Sequence, residues 1–447
     1  MHKTKILATL GPVSDHLPQL QALHASGMSI ARLNFSHGTD SWFTDTIDAL
    51  HELNATHARK ISILVDTKGP EMRTRDVVEP IHVEEAGAYS MGFDPASGAD
   101  ILVDYPHLIR DIHVGQTILI DGGTIVMHVT GTTENTLLVR SDQSGIITSR
   151  RHVNVPGVHL DLPILDSNDE RLLRLCIDKG IDMVAMSFVN TAAQVEEVRR
   201  FIQTITDKPL TLVSKIETQT SLDNLEDIVR ASDGIMIARG DLAMEIPLEL
   251  LPTAQRQVLA VCHRHSVPCI VATHMMKSMT DSPTPTRAEI LDVGHAVYDG
   301  TDAIMTSEET SVGKFPAETI GLMARIAAKT EESVFWQPIW SAPTLHPQIP
   351  HPVEEMMNRL TQGCAQVLVY RASNPAALRL LASLRLKIPC IAIAPDEATA
   401  RYAALAYGQY GVHAEANTEE ELDAASLPLR RELFGGTAQR AEYLLLD

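Results

Sequence analysis

The chain has 447 residues, room for about three domains, and its 44% hydrophobic content can fill large cores. Aromatic residues make up only 4%, so those cores must be aliphatic. A formal net charge of -20 argues against nucleic acid or an anionic membrane as partner, and leaves local cations or a metal to draw in any anionic substrate.

Residues 1–5 run into a short strand without an apolar signal region, and no run approaches the ~18 apolar residues of a membrane span. A cytoplasmic protein is therefore expected. Cys176, Cys262, Cys269, Cys364 and Cys390 form no Cys-x-x-Cys pair and read as reduced, buried thiols. Apolar runs at 6–10, 28–33, 61–65, 183–186, 210–214, 234–238, 269–272 and 303–305 lack polar alternation, as strands buried on both faces should. Helical periods lie between most of them, such as Val195, Val198, Ile202 and Ile205. Eight strand–helix repeats, with no Gly-x-Gly-x-x-Gly, predict an α/β fold of the (β/α)8 TIM-barrel type.

The third repeat is interrupted after Asp66-Thr67-Lys68-Gly69-Pro70. Short strands are predicted at 101–103, 117–120, 125–129 and 137–140, with Asp121-Gly122-Gly123 as a tight turn between two of them. The division expected is barrel at 1–70, an inserted small β-barrel lid domain at 71–157, and barrel again at 158–336. A proline-rich linker at 337–352 and a shortened C-terminal α/β domain at 353–447 follow. In that last domain, strands are predicted at 366–370 and 390–394, and helices at 376–384 and 398–406. An insertion in a strand-to-helix loop opens at the face where barrel active sites sit, and suits a lid.

Lys215 and Glu217 are two apart at a strand end and so share one face. The next strand delivers Arg239-Gly240-Asp241 in the same manner. Glu217 and Asp241 with Lys215 between them make a plausible Mg2+ site for a phosphorylated anion, since hard oxygen ligands leave positions open for substrate. Alone, Lys-x-Glu is more often a solvated ion pair. What sets this one apart is company: Arg32, Asn34, Ser36 and His37 end the second strand, Asp66 and Thr67 the third, Thr273 the seventh and Ser307 the eighth.

Up to about Ser333 the chain resembles pyruvate kinase. The motifs are Thr4-Lys5-Ile6 with Gly11-Pro12, Ala31-Arg32-Leu33-Asn34-Phe35-Ser36-His37-Gly38, and Asp66-Thr67-Lys68-Gly69-Pro70-Glu71. Ser214-Lys215-Ile216-Glu217, Ala238-Arg239-Gly240-Asp241-Leu242 and Pro285-Thr286-Arg287-Ala288-Glu289 follow in order. The resemblance implies phosphoryl transfer from phosphoenolpyruvate to ADP, giving pyruvate and ATP. It implies Mg2+ (or Mn2+) on Glu217 and Asp241, with catalytic work by Lys215, Arg32, Thr273 and Ser307. Substrate would bind at Arg32, Lys215, Gly240, Asp241 and Thr273. K+ would sit among Asn34, Ser36, Asp66 and Thr67, a requirement that goes with Glu71 in the family. Arg73, His37 and Arg151 match nucleotide-side positions, and a tetramer is the implied assembly.

There are departures. His274 stands where Gln is usual, Ala243 where Gly is usual, and Glu308 where Gly is usual beside Ser307. Two alternatives remain open: a Mg2+-dependent pyruvate-enolate aldolase, or a weakly active metabolite-sensing relative. The turn Tyr370-Arg371-Ala372-Ser373-Asn374-Pro375 lacks a backbone donor at Pro375, and the C-terminal domain reads as one strand short, so no activation by fructose 1,6-bisphosphate is expected.

Overall fold

The computed structural model describes residues 2–158, 160–335, 351–362, 365–435 and 440–445. Strands β1 (Lys5–Thr9), β2 (Ile30–Asn34) and β3 (Ser62–Asp66) begin a parallel barrel. After β3 the chain leaves it for β4 (Met72–Arg73), β5 (Ile81–Val83), β6 (Ala88–Gly92), β7 (Ile101–Leu102), β8 (Thr117–Ile120), β9 (Ile125–Thr132), β10 (Thr136–Ser141), β11 (Gly145–Ile147) and β12 (His152–Asn154). It returns through β13 (Met183–Met186), β14 (Thr211–Ile216), β15 (Gly234–Ala238), β16 (Cys269–Ala272) and β17 (Ala303–Thr306). The barrel closes in the order β1-β17-β16-β15-β14-β13-β3-β2.

Every residue of β1, β3, β13, β14, β15, β16 and β17 is buried, which explains the unbroken apolar runs. One face of each packs under the surrounding helices, with Ile6, Ala31, Ile63, Val184, Ile235 and Ile304 in a single aliphatic cluster. Capping boxes start several of those helices, Thr286 with Glu289 among them.

In the insertion, seven strands pair in the order β4-β12-β8-β9-β10-β6-β7. Thr74, next to β4, bridges Val103, next to β7, so the sheet curls back on itself. Its core is separate and aliphatic, built on Ile118, Ile120, Met127, Leu137 and Val153. Strands of three residues, such as β5 and β11, are too short to show a period, and they were not foreseen.

The C-terminal domain is a four-stranded parallel sheet in the order β20-β19-β18-β21, with β18 at Val367–Arg371, β19 at Cys390–Ala394, β20 at Gln409–His413 and β21 at Ala441–Leu445. The helix expected at 398–406 spans Glu397–Tyr402 instead. Leu368, Tyr370, Leu378 and Leu405 of this domain share one apolar cluster with Leu7, Leu64, Val213 and Met236 of the barrel strands. The domain thus seals one end of the barrel interior. The linker expected at 337–352 lies outside the described residues, except where the helix His351–Gln362 begins. Among the described residues, no helix is long and apolar enough to cross a membrane.

Candidate active site

The polar strand ends converge on the barrel face opposite the C-terminal domain. Asn34 and Asp66 are register partners across β2 and β3, and Asp66 pairs in turn with Ala185 of β13. Lys215, on β14, reaches across this rim. Its Nζ donates to Ser187 Oγ at 2.6 Å and stands 2.9 Å from Glu217 Oε1 and 3.2 Å from Asp66 Oδ1. Burial works against the ammonium, yet the Asp66, Glu217 and Asp241 carboxylates outweigh it and hold its pKa above the ordinary lysine value.

The other oxygen of Asp66 takes Arg32 Nε at 2.7 Å, while a second Arg32 nitrogen donates to Thr9 Oγ1 at 2.8 Å. Asp66 is fully buried; desolvation would raise its pKa, but Lys215 and Arg32 together hold it below the usual range. Two cations and one shared carboxylate therefore form a fixed cluster, and Arg32 also lines the adjoining cavity.

Three non-glycine residues with left-handed backbones mark the site: Phe188, Thr273 and His274, the last with φ of 57°. Phe188, with φ of 55°, turns its N–H onto Glu217 Oε2 at 2.7 Å. Thr273, with φ of 67°, is a β-branched residue in a costly conformation. It is held there by Gly240 N, which donates to Thr273 Oγ1 at 2.8 Å, and by Arg239, which donates to Thr273 O at 2.6 Å. Arg239 itself pairs with both oxygens of Asp292 and so braces the rim instead of facing substrate. A Cβ on Gly240 would project toward the Thr273 hydroxyl at 3.6 Å, into the space a small anion would need.

Arg32, Asn34, His37, Gly240, Thr273 and Ser307 line one cavity of about 400 Å3, and Pro12, Trp42, His274 and Glu308 widen it. The departing Glu308 bonds Lys277 at 2.6 Å; burial pushes its carboxyl up, but that bond and charge outweigh it and keep it below the ordinary range. Ser36 is exposed and donates its N–H to Asn34 Oδ1, and Thr67 Oγ1 accepts from Ser187 N at 3.2 Å. Arg73 and Arg151 stand on the inserted domain and are not among the cavity's lining residues. There Arg73 pairs with Glu71 at 2.5 Å and Arg151 with Asp121 at 3.4 Å. A larger cavity of about 520 Å3, lined by Lys5, Arg59, Lys60 and Arg401, lies toward the C-terminal domain and shares none of these residues.

Glu217 Oε1 is buried and accepts no well-directed hydrogen bond, although Lys215 is close. Burial lifts this carboxyl to about 8, with Lys215 opposing and the Asp241 charge adding to the rise. A hard divalent cation would satisfy that oxygen and the Asp241 carboxylate together. Two protein carboxylates would leave positions for substrate oxygens. Asn34, Ser36, Asp66 and Thr67 bring amide, hydroxyl and carboxylate oxygens, which suit a monovalent cation of the same hard character.

Ser187, Phe188 and Glu309 were missed in the sequence. Ser187 follows β13 directly, so the strand-end rule that found the others would have found it too. Glu309 is fully buried and takes Ser307 N at 2.6 Å and Met276 N at 3.2 Å, which ties the last two rim loops together.

The pyruvate kinase barrel-domain family model matches residues 1–320. The pyruvate kinase of Geobacillus stearothermophilus is 35% identical over 442 residues, which is 95% of this chain and 74% of that protein. A probable cytosolic pyruvate kinase of Arabidopsis thaliana is 35% identical over 410 residues, 89% of this chain and 82% of that one. The crystal structure of a pyruvate kinase from Cryptosporidium parvum superposes with a TM-score of 0.90 at 29% identity, covering 99% of this chain and 93% of its own. With the barrel, the insertion and the strand-end site in common order, the chain belongs to the pyruvate kinase family.

Proposed function

We propose that the chain transfers the phosphoryl group of phosphoenolpyruvate to ADP, giving pyruvate and ATP. The observation that carries this is the buried Lys215 ammonium shared between Glu217 and Asp66, whose second oxygen holds Arg32. Phosphoryl transfer asks for alignment and charge neutralisation more than covalent chemistry, and this cluster supplies both.

Arg32, oriented by Asp66 and Thr9, forks onto the phosphoryl oxygens. Lys215 stabilises the charge that grows on the bridging oxygen as the enolate forms. Lys215 stays an ammonium tied to anions, so the proton for the enolate carbon is relayed from solvent through water and the Thr273 and Ser307 hydroxyls, each of which takes up one proton as it passes one on. Gly240 and Asp241 backbone N–H groups, with Thr273, receive the substrate carboxylate. Glu217 and Asp241 would hold Mg2+ (or Mn2+), which would supply positive charge against the anionic substrate. Asn34, Ser36, Asp66 and Thr67 would hold K+, which would supply further positive charge. His37 serves the nucleotide from the cavity, and Arg73 and Arg151 from the inserted domain. A cytoplasmic homo-oligomer, with a tetramer as the family's form, belongs to the same proposal.

The aldolase alternative needs neither a nucleotide nor Arg32. Pyruvate release from phosphoenolpyruvate, followed with and without ADP, separates the two. Strict ADP dependence is expected, and ADP-independent pyruvate or aldehyde formation would overturn the assignment.

A further inference from the structure

The chain crosses between the barrel and the inserted domain twice, and a barrel carboxylate grips each crossing. At the entry, fully buried Asp169 takes Lys68 N at 2.9 Å and Gly69 N at 3.0 Å, one on each oxygen. Gly69 is left-handed at φ 74°, and a Cβ there would lie 2.6 Å from the Ser187 Cβ. This crossing is pinned by two bonds and by steric fit.

The exit is built differently. Glu245, last residue of the helix Arg239–Glu245, takes Gly157 N at 3.4 Å and is also hydrogen-bonded by the Asn154 side chain. Gly157 is left-handed as well, at φ 75°, but nothing lies within 4 Å of where its Cβ would be. A 3.4 Å bond to Gly157 over open space, helped only by the Asn154 side chain, yields more readily than two bonds of ordinary length against a wall. Any tilt of the inserted domain is therefore taken up here. The same short helix carries Asp241 in its first turn, about one helical turn before Glu245. It is touched again by the lid, because a Cβ on Gly123 of the β8–β9 turn would meet Met244 Cε at 2.9 Å.

Resting on phosphotransfer as the reaction, we propose that Glu245 is a positioning residue: its grip on the Asn154–Gly157 exit sets the tilt of the inserted domain against the helix that bears Asp241. That tilt decides how far Arg73 and Arg151, which travel with the insertion, reach over the nucleotide side of the cavity. The entry clamp at Asp169 is the fixed pivot, and Glu245 is the adjustable one.

The full-length protein tests this with Glu245→Ala and Glu245→Gln, the second of which keeps an acceptor for Gly157 N. In Glu245→Ala, amide hydrogen exchange across residues 154–158 should rise several-fold, and KM for ADP should rise about tenfold. Inhibition by oxalate, a mimic of the enolate end of the substrate, should stay within about twofold, and Glu245→Gln should restore both other readouts. Unchanged exchange in Glu245→Ala would overturn the proposal. So would a parallel loss of oxalate and ADP affinity, which would make Glu245 a prop for its helix, or a Gln variant as impaired as Ala. Exchange decides the grip even if the wild type makes no ATP, which would fault the reaction instead.

Discussion

The ammonium of Lys215 stands 2.9 Å from Oε1 of Glu217, two residues farther along the chain at the end of β14. The pairing follows from strand geometry, because residues two apart leave on one face. Chemically it leaves a buried cation beside a carboxylate that has an unsatisfied oxygen. Lys215→Met should lower kcat by ~10²–10³ or more with oxalate affinity largely kept, because the ammonium acts on charge that appears in the transition state. A fall of less than about tenfold, measured by steady-state kinetics, would remove Lys215 from that role.

Activity should fall sharply in a K+-free Tris buffer and recover on K+ titration, through Asn34, Ser36, Asp66 and Thr67. Glu71→Lys should relax that requirement, since a fixed ammonium stands in for a mobile cation. Glu71 also holds Arg73 at 2.5 Å and faces Lys68 at 3.7 Å, so the variant should raise KM for ADP at the same time. Full kcat without K+ in the wild type would strike out the site.

Acid should weaken the fold through His263. Burial first, and then the Arg385 charge, push this imidazole down to about 4, whereas an unfolded histidine titrates near ~6.5. Between those values the unfolded chain binds a proton that the folded one refuses. Unfolding free energy should therefore decline as pH falls through that window, by about 1.4 kcal/mol per pH unit from this one group, and be flat above it. Urea denaturation at several pH values checks this. His263→Gln should reduce the slope, and an unaltered slope would contradict the assignment.

Fructose 1,6-bisphosphate should not activate, and dependence on phosphoenolpyruvate should be near-hyperbolic. At the turn after β18, Asn374 Oδ1 already takes Ala376 N and Ala377 N, and Pro375 offers no N–H. Two backbone donors of that turn are already occupied, and a third is missing. A several-fold drop in half-saturation on adding the sugar bisphosphate would show that an effector site exists.

Barrel strands and rim residues were legible because a strand buried on both faces writes an unbroken apolar run and stops at a polar residue, as at Val65-Asp66 and Ala272-Thr273. The residues that act through the backbone were not. Asp169 and Glu245 lie inside helical segments where a carboxylate looks like any surface acid, and only the fold brings them to the two crossings. β20 was missed because Gln409-Tyr410-Gly411-Val412-His413 is a mixed edge strand, half turned to solvent. The strained φ of Thr273 leaves no trace in composition.

Phosphorus NMR of the purified protein with phosphoenolpyruvate, ADP, Mg2+ and K+ is the most direct measurement of the central claim. The predicted result is loss of the phosphoenolpyruvate signal matched one for one by the ATP γ-phosphate, and abolished in Glu217→Gln. Free phosphate or aldehyde in place of ATP, or ATP formation undiminished in Glu217→Gln, would contradict it.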